Sequence, residues 1–173
     1  MTAASRRRLL LLAACLLSAI GGPATAQGNT QGNTGAALLI ALPGWEGGET
    51  NTVSLDQGSA SYRWASREYQ RGEARITPIL GTQPGAAALD ASMGQDMEMR
   101  SGSTLVRSRV VRGVRVVTSY NDEDKNGAIL VMLTPGGAGG SFVFQFEGLA
   151  LEEASRICEG FDWAAMQRQA SAK

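Results

Sequence analysis

Histidine is absent from all 173 residues. That removes the side chain that most often serves as a general base near neutral pH, the commonest zinc ligand, and every Ser-His or Cys-His arrangement. Any enzymatic reading must then run on carboxylates, lysine or tyrosine. Cysteine is scarce: Cys15 and Cys158 are the whole supply. Once a leader carrying Cys15 is removed, Cys158 stands alone and an internal disulfide is excluded. The longest apolar run, Leu9 to Ile20, falls well short of the ~20 residues that cross a bilayer, so no transmembrane span is expected.

What is present begins with that leader. Arg6, Arg7 and Arg8 make a positive start, the apolar run follows, and Ala24-Thr25-Ala26 supplies a small-x-small cleavage site. Residues 1–26 therefore read as a cleaved secretory signal peptide, placing the protein in the periplasm or outside the cell. Two rivals stand beside that reading. Leu12-Ala13-Ala14-Cys15 fits a lipobox, whose alternative is lipid anchoring at Cys15. Ser5 to Leu10 is similar to a twin-arginine signal, although the leucine-rich run favours the general secretory route. Loss of the three leader arginines and no acid turns a balance of 16 basic and 16 acidic residues into a mature net charge of about −3. A mildly acidic domain argues against a nucleic-acid partner.

Gln27-Gly28-Asn29-Thr30 repeats as Gln31-Gly32-Asn33-Thr34, so residues 27–35 read as a flexible linker and 36–173 as a single domain. A short helix is expected over Ala36 to Leu42, ended by Pro43-Gly44, with a loose stretch after it. Strands are expected over Ser59 to Tyr69 and over Ala74 to Leu80, where Pro78 argues for a sheet edge or for the strand's end. Pro84 opens a helix running over Ala86 to Met93. Thr104–Val111, Val114–Tyr120, Ala128–Leu133 and Phe142–Phe146 read as a meander of strands divided by turn signals. Apolar residues at helical spacing make Ala150 to Gln169 a closing helix. The expected class is α+β, an antiparallel sheet of about six strands with two or three helices packed on one face as a two-layer sandwich.

Ala41-Leu42-Pro43-Gly44-Trp45, Ala60-Ser61-Tyr62-Arg63 and Ser119-Tyr120-Asn121-Asp122 before Asn126-Gly127 carry a resemblance. Over Ala36 to Trp163 the chain resembles a group of small exported proteobacterial α+β proteins without known activity. The resemblance implies export and this fold and brings no catalytic residue. The element order is similar to PsbP-like domains at the level of topology alone.

The sharpest local pattern is Asn121 to Ile129. Asp122, Asp124 and Asn126 fall at positions 1, 3 and 5 of a calcium loop, with Gly127 at 6 and Ile129 at 8. Leu133 stands where the bidentate glutamate belongs, so any Ca2+ site would be weak, near millimolar. The plain alternative is a polar hairpin in which Asn126-Gly127 supplies positive φ. Pro135 to Ser141 reads as a glycine-rich hairpin loop: it has no lysine, and no helix follows to hold a phosphate. Arg100, Arg107, Arg109, Arg112 and Arg115 cluster with no acid between Glu98 and Asp122. Arg107 and Arg109 share a strand face, which could meet an envelope protein or an anionic surface. The bland reading is a solvated strip that blunts an edge. Met93, Met97 and Met99 read as core and linker filling, Cys158 as a buried inert thiol, and Trp45, Tyr62 and Trp64 as core. The expectation is a non-enzymatic periplasmic accessory or binding module. Its alternatives are a weak divalent-cation binder at 121–129 and a carboxylate-based enzyme using Asp122 and Asp124.

Overall fold

The structure is a computed structural model that describes residues 35–57, 60–81, 95–134 and 140–171. The expected leader, the 27–34 linker, the helix over Ala86 to Met93 and most of the glycine-rich loop, 135–139, lie outside the described residues.

Eight strands run in chain order: β1 Glu46–Gln57, β2 Ala60–Arg71, β3 Ala74–Gly81, β4 Met97–Ser101, β5 Thr104–Val111, β6 Val114–Asn121, β7 Asn126–Met132 and β8 Ser141–Glu147. Two helices follow, α1 Leu151–Glu159 and α2 Trp163–Ser171. All the strands form one antiparallel sheet in the order β1-β2-β3-β8-β7-β6-β5-β4. The first three make a meander. The chain then crosses to the far edge and folds back strand by strand until β8 closes against β3.

Alternation writes the core. Ile76 and Leu80 of β3, Phe142, Phe144 and Phe146 of β8, and Ile129 and Val131 of β7 are buried. Ladder pairing puts them on one face of the sheet, here the core face. Each buried phenylalanine contributes roughly 2–3 kcal/mol of apolar transfer. Leu151, Ala154 and Cys158 repeat at helical spacing and give α1 the buried stripe that joins this cluster. Phe161, between the helices, packs its ring 5.1 Å from that of Phe142 and 6.2 Å from that of Phe144.

Several expectations are corrected here. Among the described residues the sheet has eight strands, not about six, because β1 and β4 lie where the sequence suggests loop and linker. The helix over Ala36 to Leu42 is a single 3-10 turn, Ala36–Leu38. The closing helix is broken in two: Gly160 N–H donates back to Ile157 O, and Asp162 Oδ1 accepts Ala165 N–H at 2.9 Å as the cap of α2. Trp163 Nε1–H donates to Cys158 O at 3.0 Å and satisfies a terminal carbonyl of α1. Pro78 is not at an edge. It pairs with Phe144 inside the sheet, and the ladder to β2 is interrupted opposite it, between Ser66↔Ile79 and Tyr69↔Ile76. The missing donor is absorbed by that local gap. Beside it the Arg67 side chain donates to Gly48 O at 2.9 Å and Leu39 O at 3.1 Å.

Candidate binding surface

The face of the sheet opposite the core carries an open concavity. Thr77, Gln145, Ala128 and Ser119 stand side by side on β3, β8, β7 and β6, aligned by the pairs Thr77↔Gln145, Ala128↔Gln145 and Ser119↔Ala128. The next row holds Arg75, Glu147, Asn126, Asn121 and Thr104. With the Ser101–Ser103 turn as a wall, these rows line a groove of about 910 Å3. Further along the same face Ser108, Val117 and Met132 are buried, so the open part is the polar end.

The groove floor is uncharged. The side chains of Thr77, Ser119 and Gln145 are half-buried and have no hydrogen-bond partner among the described residues, leaving a hydroxyl pair and a carboxamide to a ligand or to water. Charge lies at the rim and is net acidic. Arg75 faces Glu68 at 2.9 Å and Glu147 at 4.0 Å, while Glu123 and Asp124 stand on the opposite wall. Two backbone bonds brace that wall: Asp122 N–H to Ser103 O at 2.9 Å, and Leu149 N–H to Lys125 O at 3.1 Å.

The expected calcium-loop residues sit on the β6–β7 hairpin without converging. Asp122 accepts a bond from Lys125 Nζ at 2.8 Å, and that bond holds its carboxyl below its ordinary value and the Lys125 ammonium above its own. Asp124 Oδ2 accepts from Asn121 Nδ2 at 2.7 Å, and Asn121 Oδ1 accepts the N–H of Glu123, an Asx turn. Asn126 lines the groove, as does Asp124, whereas Asp122 does not. Among the described residues no group of three His, Cys, Asp or Glu is placed to hold a metal ion. Gly127 is not the positive-φ residue of the turn. Lys125 takes that conformation, at φ 52°.

The arginines divide between faces. Arg100, Arg107 and Arg109 lie on the core face at its β4–β5 margin, opposite Leu105, Thr118 and Val116. Arg107 Nη1 is 4.0 Å from Glu98, and its Nε is buried with no partner. Arg109 is exposed and makes no ion pair among the described residues. Arg112, at φ 51° in the β5–β6 turn, donates to Glu159 O at 2.9 Å and lies 5.6 Å over the Trp163 ring. Arg115 is on the groove-bearing face and bonds Asp96 at 2.6 Å. A void of about 10 Å3 between α1 and the sheet, lined by Arg109, Thr118 and Cys158 among others, has room for one water.

Cys158 is fully buried, and burial pushes its thiol far above the ordinary value. Trp45 packs against the core under Arg71, whose guanidinium is 4.4 Å from the ring centroid. Tyr62 and Trp64 are not core. They pair with exposed Leu55 and Val53 on the face away from it. Met97 and Met99 are exposed on β4, so the reading of them as core filling is overturned. The groove floor was missed in the sequence because Thr77, Ser119 and Gln145 come from three distant segments and only ladder register unites them. Comparison with protein-family models, with curated proteins and with solved structures finds no match to this chain.

Proposed function

We propose that this chain is a non-catalytic binding module that seats an uncharged, hydroxyl-rich ligand, a glycan chain, in the polar groove of its sheet. One observation carries the reading: a neutral row of Thr77, Ser119 and Gln145 whose side chains have no hydrogen-bond partner among the described residues. The acidic rim disfavours phosphates and nucleic acid, and the floor offers no carboxylate to a cation. The chain has no histidine, and the two acids of the carboxylate reading are engaged by neighbours, Asp122 by Lys125 and Asp124 by Asn121, which supports a non-catalytic role. The leader at residues 1–26 supports delivery to the periplasm or beyond, with Cys15 acylation as the alternative. The Phe161 contacts support the finer reading of the fold, with the helices covering the core face.

A second reading is favoured by Arg107, whose buried Nε has no partner among the described residues, and by Arg109, which makes no ion pair among them: this margin would receive an acidic patch of an envelope protein. Titration calorimetry separates the two. The groove reading expects heat with neutral tetrasaccharides such as chitotetraose, and a loss of about five-fold in affinity for Gln145→Ala. Reversing Arg107 and Arg109 to glutamate leaves that binding unchanged. Binding of spermine in preference to the sugars would overturn the neutral-ligand assignment, and hydrolysis of the sugar would overturn the non-catalytic one.

A further inference from the structure

We infer that two copies of this chain associate through their β4 strands, paired antiparallel about a two-fold axis at Met99. Every residue of β4 is exposed, and among the described residues β4 is the last strand of the sheet and has no partner on its outer edge. Native edges of this kind are blunted by proline, a bulge or an inward charge. β4 has no proline and no bulge, its register with β5 being unbroken from Met97↔Ser108 to Ser101↔Thr104, and its two core-face charges, Glu98 and Arg100, are of opposite sign.

The occupant follows from charge order. The strand reads Met97-Glu98-Met99-Arg100-Ser101. A two-fold at Met99 sets Glu98 against the partner's Arg100, and Arg100 against the partner's Glu98. Directly opposed residues of an antiparallel pair share a face, so both pairs form on the same side. Within one chain these groups are only loosely held: Glu98 stands 4.0 Å from both Arg100 and Arg107. On the other side Met99 meets the partner's Met99, and the exposed apolar surface of Met97 (37%), Met99 (55%) and Val110 (53%) has something to bury against. The opposite edge of the sheet lacks this pattern. β1 carries Glu46 and Glu49 with no basic residue in its own sequence and is bulged between Gly47 and Thr50. A two-fold perpendicular to the sheet also keeps both grooves on one surface. If the groove holds a glycan, the dimer is bivalent for a long chain. The pairing itself does not depend on that reading.

Sedimentation of the purified protein over about 10–1000 µM, a range suited to a small interface, tests the proposal. Wild type sediments as a concentration-dependent dimer. Glu98→Arg and Arg100→Glu each weaken it by about ten-fold or more, because two symmetric attractions become two repulsions. The double variant Glu98→Arg/Arg100→Glu restores association to within about three-fold of wild type. Directly opposed Cα atoms lie ~4.5–5.5 Å apart, within disulfide reach. Met99→Cys, oxidised by glutathione disulfide, therefore gives a covalent dimer whose linked peptide maps residue 99 to residue 99, and Leu55→Cys does not. A monomer throughout the range, a dimer indifferent to single charge reversal, failure of the double variant to restore it, or linkage through residue 55 would each overturn the inference.

Discussion

Replacing Gly127 by alanine adds one methyl group on the core face of β7, between Tyr120 of β6 and Phe146 of β8. The two rings stack across the glycine with centroids 5.9 Å apart and planes at 23°. The new Cβ would stand 2.9 Å from Phe146 Cζ and closer still to the carbonyl oxygen of Ser119. The ring can swing aside, but the carbonyl belongs to a ladder strand and cannot. Overpacking of this kind costs ~1–3 kcal/mol, and losing the ring pair about 0.5–1.5 more. The sum is about 1.5–4.5 kcal/mol, a fall of roughly 4–14 °C in Tm for a domain of this size. Lys125→Gly is the paired control. It relieves a left-handed residue, worth about 1 kcal/mol, and gives up only an exposed ion pair of little value. Circular dichroism melts and urea titrations of both variants read the outcome. A Gly127→Ala protein that melts within about 1 °C of wild type, with Lys125→Gly the damaged one, would refute the close-approach reasoning.

Tyr69 O–H donates to Ile40 O at 2.6 Å and reaches Leu39 O at 3.1 Å, so Tyr69→Phe should cost about 1 kcal/mol in urea unfolding. Burial raises the Tyr69 pKa against the opposing pull of Arg67. Its contribution is therefore full below the unfolded value near 10 and fades as pH rises through the higher folded value. Urea midpoints between pH 9 and pH 11 should drop further for wild type than for Tyr69→Phe, and equal slopes would contradict this. Cys158 should react with a thiol reagent no faster than the chain unfolds globally, as hydrogen exchange of α1 can measure. With Asp122 engaged by Lys125, millimolar calcium should leave Tm unchanged within about 1 °C. A larger shift, abolished by Asp124→Asn, would restore the cation reading.

The strands that could be read in the sequence are those with one buried face. β3, β6, β7 and β8 bury every second side chain on the core face, and β2 buries Ala65 and Tyr69 there. β1 and β4 escaped notice because edge strands exposed along much of their length have no reason to alternate: β4 is exposed throughout, and β1 opens on Glu46-Gly47-Gly48-Glu49. Pro78 pointed to an edge because a proline cannot donate, yet a local gap in one ladder absorbs the missing bond in mid-sheet. The helix over Ala150 to Gln169 has continuous apolar spacing, and only Gly160 followed by Asp162 signals the break. Asn126-Gly127 looked like turn chemistry, whereas Gly127 is small because two rings meet over it. At the candidate site, Asp124 and Asn126 were visible as a loop motif. The floor was not, since threonine, serine and glutamine carry no local signature.

Amide chemical-shift mapping of the labelled protein during titration with chitotetraose bears most directly on the groove. Glycan binding in the groove gives saturable shifts centred on Thr77, Ser119 and Gln145, spreading to Asn121 and Asn126 and sparing Arg107 and Arg109. Shifts confined to the Arg107–Arg109 margin, or none at saturating neutral oligosaccharide alongside clear shifts with spermine, would contradict it.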